Sequence, residues 1–139
     1  MNNDARVIHA LDDADARSFS INVAGPAALL VAKVVKVAER RDRPARLKPK
    51  DGLDVLRLLR TTDPGLLGTK LVQLLANPLS GPVVAQALED LRVLASEPDG
   101  LLPGLAATAE RGFDDPDVLR MSMVILVREV LDVTNVRLP

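Results

Sequence analysis

Three cations sit on one face of an apolar segment. Lys33, Lys36 and Arg40 are spaced by three and four residues, which on a helix keeps them within roughly 60° of one another. Around them run Leu29, Leu30, Val31, Val34, Val35 and Val37. A charge on such a helix must turn to solvent, to a partner or to a ligand, because an unpaired buried charge is too costly. Two carboxylates follow, Asp51 and Asp54, three apart and at the start of the next helical segment. The dipole of that helix favours acids in its first turn. Asp54 shares its face with Val55 and Leu58, so the carboxylate lies above a core-facing stripe and Lys33–Asp54 is the ion pair the spacing predicts. Two readings stay open for the stripe. Lys33 either snorkels or pairs while Lys36 and Arg40 are solvated, or the cations hold a phosphate.

The segment joining these helices is Arg41-Asp42-Arg43-Pro44-Ala45-Arg46-Leu47-Lys48-Pro49-Lys50. Two prolines predict an extended, stiff chain. From Lys33 to Arg60 there are ten bases against four acids, a local surplus of six in a chain whose net charge is −1. A near-neutral protein with one basic segment suits a local anionic ligand. Lys50, beside Asp51, joins Lys33, Lys36 and Arg40 as an expected phosphate-binding residue, and Asp51 and Asp54 are their acidic partners. The alternative is a solvated basic loop.

The string from Val23 to Lys33 (VAGPAALLVAK), then Arg40, then Lys48–Leu59 (KPKDGLDVLRLL) resembles the C-terminal helical part of nucleotidyltransferases of the abortive-infection toxin type. Members pair an apolar helix bearing a lysine with a basic residue and a D-x-x-D-like element opening the next helix. Those places fall here on Lys33, Lys50, Asp51 and Asp54. The resemblance implies a contribution to nucleotide or phosphate binding. It covers about forty of the 139 residues.

These enzymes also hold metal with a Gly-Ser element and a D-x-D pair on an N-terminal sheet. Only about 24 residues precede the apolar helix here, without Gly-Ser; Asp13-Ala14-Asp15 is formally D-x-D but lies in a turn-like stretch. Two-metal nucleotidyl transfer then lacks its clamp. The expectation is a helical domain that is not catalytic alone, with no cofactor of its own. Magnesium and a nucleoside triphosphate enter only with a catalytic domain, and a missing N-terminal nucleotidyltransferase domain is the first partner implied. The competing reading is a non-catalytic interaction or oligomerisation module, its apolar last helix docking on a sheet domain or a second copy.

The elements that position these residues are helices with proline start signals. Proline fits the first helical turn, where its missing N–H has no partner in any case. Pro26 opens Ala27–Arg41, Pro49 precedes Lys50–Arg60, and Asp63-Pro64 opens a helix to about Ala76. Ser80-Gly81-Pro82 opens one to about Ala95, Asp99 caps one to about Arg111, and Asp115-Pro116 opens the last, to about Asp132. Asp and Ser are strong N-caps. The first and last helices are apolar on most of their circumference and are expected to be central. Upstream, Phe19, Ile21 and Val23 alternate with polar residues, predicting a strand or small hairpin. The fold class expected is all-α, about a six-helix bundle (25–139) preceded by a short N-terminal β-hairpin or strand (1–24), one domain overall.

Composition narrows the function classes. The 47% hydrophobic content supplies a core and disfavours disorder. There is no cysteine, so thiolate catalysis and Cys-ligated zinc are excluded. His9 is the one histidine, too few for a His-rich metal site. Phe19 and Phe113 are the only aromatics, which gives little support to base stacking, and no recognition helix is evident, so nucleic acid stays undecided. Nucleophile-elbow, Walker and Rossmann fingerprints are missing; Gly65–Lys70 has the wrong spacing for a P-loop. No apolar run reaches the ~20 residues of a membrane span, and no secretory h-region appears, so the expected compartment is the cytoplasm. Leu101-Leu102-Pro103-Gly104-Leu105 is a candidate contact or ordinary core.

Overall fold

The computed structural model describes residues 25–112 and 115–137. Within them the chain is all helical: α1 (Pro26–Arg40), a 3-10 turn (Pro44–Arg46), α2 (Pro49–Thr61), α3 (Pro64–Ala76), α4 (Gly81–Ala95), α5 (Leu101–Ala109) and α6 (Pro116–Arg137). The expected N-terminal strand or hairpin lies outside the described residues. None of these helices is long and apolar enough to cross a membrane.

The start signals act as their chemistry predicts, with two exceptions. Proline occupies the first turn of α1, α2, α3 and α4. Asp63 caps α3, its Oδ2 accepting from the Leu66 amide at 3.0 Å. Asp115 Oδ1 accepts from the Asp117 amide at the start of α6. Ser80, expected to cap α4, instead donates its hydroxyl to the Leu74 carbonyl at 2.8 Å, tying the α3–α4 turn together. The residue before α5 is Gly100, not Asp99, and Gly100 makes no side-chain cap. The connection after α1 is also less extended than two prolines imply. The Arg43 amide bonds the Arg40 carbonyl and the Arg46 amide bonds the Arg43 carbonyl, so it advances in two tight turns before straightening at Leu47 and Lys48.

Buried residues from all six helices form one apolar cluster. From α1 come Ala27, Leu30, Val31, Val34 and Val37, and from α6 Leu119, Met123, Val127 and Val130. These two helices are not all core, however: Leu29, Val118, Met121 and Ile125 face solvent, and α2 supplies Leu53, Val55, Leu56 and Leu59. The Leu101–Leu105 run is core, with Leu102 and Pro103 buried. Gly65–Lys70 lies within α3, not in a loop. Two glycines set the closest helix approaches. A Cβ on Gly52 of α2 would lie 2.6 Å from both Ala106 N and Leu105 Cβ of α5. A Cβ on Gly68 of α3 would overlap the Val133 side chain of α6.

Candidate functional site

α1 and α2 cross so that two turns of one face two turns of the other. Lys33 Nζ lies 2.9 Å from Asp54 Oδ2 and 3.4 Å from Asp51 Oδ1. Lys36 Nζ, one turn further along α1, lies 3.2 Å from the same Asp51 oxygen. The Lys33–Asp54 pair expected from spacing is therefore present. Lys33 also reaches Asp51, so one ammonium bridges both acids. The order is antiparallel, since moving up α1 from Lys33 to Lys36 moves down α2 from Asp54 to Asp51.

The cluster grades from buried to wet. The Asp51 side chain is 5% exposed and Asp54 22%, against 28% for Lys33 and 36% for Lys36. Burial alone pushes the Asp51 carboxyl up. The hydrogen bond and charge of Lys36, then those of Lys33, outweigh it and hold the group below its ordinary value of 3.8. Lys33 is raised above its ordinary 10.5, chiefly by its hydrogen bond to Asp54 against the opposing effect of partial burial. Two positive and two negative charges cancel at a seam between helices.

Two expected members stay apart. Arg40 lies one turn beyond Lys36. In the register that sets Lys33 against Asp54 and Lys36 against Asp51, the position opposite it would fall before α2 begins at Pro49. Lys50 is exposed. It stands one residue, about 100° of helix rotation, away from Asp51. Among the described residues neither is within ion-pair distance of an acid.

Sequence reasoning missed a second polar contact. Asp90 of α4 is 7% exposed, accepts from Gln86 Nε2 at 3.1 Å and lies 3.6 Å from Arg41 Nη1. The signal was available: Asp90 falls on the core stripe of Ala87, Leu91 and Leu94. Its partner was not, because Arg41 is 49 positions away.

The donor set decides what the cluster can hold. Asp51 and Asp54 already face ammonium groups, so they do not fit a magnesium ion, which needs free oxygen ligands. Among the described residues no group of three or more His, Asp or Glu side chains is placed to hold a metal ion. Lys33 and Lys36 keep part of their side chains exposed at the outer edge of the cluster. Comparison with known proteins finds no match: no family model, no curated protein and no solved structure.

Proposed function

We propose that this chain is a helical module of a nucleotidyltransferase-like protein, not catalytic by itself, which presents Lys33 and Lys36 to the phosphates of a nucleotide held with another domain. One observation supports this reading above the rest. The paired residues are 15 to 21 positions apart on two helices, yet Lys33 bridges Asp51 and Asp54 at a part-buried seam. The two acids then fix the ammonium groups, with their outer faces toward solvent.

The test is titration of the full chain with magnesium–ATP by heteronuclear NMR up to millimolar ligand. Shifts should localise to Lys33 and Lys36, and Lys36→Ala should weaken binding by about fivefold while lowering the melting temperature by only about 2 °C. Absence of saturable shifts at millimolar nucleotide refutes the reading for this chain.

A second reading has its own support. The four charges cancel and Arg40 and Lys50 stand apart, as expected of a clamp between α1 and α2 in a pure interaction module. On that reading Asp54→Ala destabilises the fold and no nucleotide effect exists.

A further inference from the structure

The connection from α1 to α2 bears a surface of a different kind. Arg41 to Arg46 are exposed, and so are Lys48, Lys50 and Arg57. Hydrogen bonds fix the path of the backbone: the Arg43 amide to the Arg40 carbonyl at 2.9 Å, the Arg46 amide to the Arg43 carbonyl at 2.8 Å, and the Asp51 amide to the Lys48 carbonyl at 2.9 Å. A turn closed by such a bond keeps its first and fourth Cα atoms within about 7 Å. Arg40, Arg43 and Arg46 therefore follow one another at short, fixed steps, and Pro44 and Pro49 stiffen the chain around Leu47 and Lys48. Lys50 and Arg57 continue the line along α2. Seven residues apart, they lie within about 20° of one another on the helix and about 10 Å apart along its axis.

These charges are free. Among the described residues none of Arg40, Arg43, Arg46, Lys48, Lys50 and Arg57 has a carboxylate within ion-pair distance, whereas Asp51 and Asp54 are taken by Lys33 and Lys36, and Arg41 by Asp90. The free acids from Glu39 to Arg57 are Glu39 itself, which lines the α1–α4 side, and Asp42, so six free cations face two free carboxylates. An acidic protein partner needs an apolar patch at the centre of its interface, and a membrane needs apolar side chains that insert. No large apolar side chain from Arg40 to Arg57 is exposed. Single-stranded nucleic acid is held by stacking on aromatic side chains, and the described residues contain none. A duplex backbone asks only for cations set at intervals along a line.

We propose that the α1–α2 connection, with Lys50 and Arg57 of α2, binds the phosphate backbone of a nucleic-acid duplex without reading its bases. The bonded turns set the backbone of the three arginines before binding, so little chain entropy is lost on contact. Guanidinium groups meet phosphate oxygens through two parallel hydrogen bonds. The proposal is independent of the nucleotide reading, since it uses neither Lys33 nor Lys36.

The experiment uses the full chain and labelled duplexes of about twenty base pairs, two DNA sequences of unlike composition and one RNA, read by fluorescence anisotropy. Saturable micromolar binding is expected at about 50 mM salt, equal within about threefold for the two DNA sequences. With about four phosphates met at once, the slope of log K against log salt is about −4, on the order of a hundredfold loss by about 200 mM. Arg43→Ala/Arg46→Ala, at two exposed sites, should reduce the slope by about 2 and weaken binding about tenfold or more, with the fold checked by melting. Lys70→Ala, which removes an exposed base on α3, should leave binding within about twofold. Saturable binding of either duplex that responds in this way supports the proposal, and the ratio of DNA to RNA names the source of the backbone. No saturable binding at about 50 mM salt, or a loss with Lys70→Ala equal to that with the double variant, overturns it. A preference beyond about threefold for one DNA sequence overturns the absence of base reading. Tighter binding to a single strand of the same length, to poly-glutamate or to phosphatidylserine vesicles makes a different polyanion the ligand and overturns the proposal as well.

Discussion

The buried acid at the α1–α2 seam gives the sharpest test of how this fold holds its charges. Replacing Asp51 with alanine leaves two ammonium groups without their shared acceptor. Removing one partner of a fully buried pair costs about 3–5 kcal/mol. Here Lys33 and Lys36 are 28% and 36% exposed, so the freed ammonium groups can turn to water. That recovers part of the loss and brings the expected cost of Asp51→Ala to about 2 kcal/mol. Lys36→Ala should cost about 0.5 kcal/mol, because Lys33 still reaches Asp51. The Lys36–Asp51 coupling from the double-variant cycle should be about 1 kcal/mol. The assay is urea unfolding of the four proteins followed by circular dichroism. At this size about 2 kcal/mol is a fall of roughly 8 °C in Tm. An Asp51→Ala cost under about 0.5 kcal/mol, or a coupling near zero, refutes the claim that the seam is a clamp.

Other outcomes follow from the same geometry. The Asp51 carboxyl is held below 3.8 in the fold, so the stability it adds is fully present above that pH and drains away as pH falls through the folded value; Lys33, raised above 10.5, adds stability below that pH and loses it as pH rises through its folded value. Urea midpoints measured against pH should therefore fall at both ends, and Asp51→Asn should blunt the acid limb. Gly52→Ala forces a Cβ to within 2.6 Å of α5 and should cost about 3 kcal/mol by overpacking, read by thermal melting, whereas Gly65→Ala should cost under about 1 kcal/mol. Asp63→Ala removes the α3 cap and should cost about 1 kcal/mol in the same assay, with Asp63→Ser recovering most of it.

Much of this fold is legible in the chain because its helices announce their beginnings. Proline in the first turn, helped by Asp63 and Asp115, places the starts of α1, α2, α3 and α6. Ends carry less signal: α6 continues to Arg137, five residues past the expected stop, because nothing between Asp132 and Arg137 breaks a helix. At the site, Lys33–Asp54 is legible as a cation on an apolar helix and an acid above a core stripe. The central place of Asp51 is not, since an acid in a first turn has a local explanation already. Lys50 stands apart for a reason the sequence does contain. Adjacent helical residues point about 100° apart, so a basic residue beside a seam-facing acid faces elsewhere. Arg40 stands apart for a reason that only the crossing of the helices supplies. The antiparallel register runs out of α2 before it reaches Arg40, and no spacing within α1 contains that register.

Asp51 and Gly52 are neighbours in sequence with opposite duties. The first faces α1 through charge, and the second admits α5 through the want of a side chain. Together they leave α2 a single rotational setting about its own axis. A turn of a few tens of degrees strips Asp51 of its lysines and drives backbone atoms of α5 against whatever replaces the glycine. Substitutions at these two positions should therefore be coupled. A lineage that gives up the small residue must move α5 outward, and one that gives up the acid must also discard the lysines of α1 or send them to solvent. In distant relatives, an acidic residue followed by a small one, opening a helix after an arginine-rich turn, is the trace this arrangement would leave.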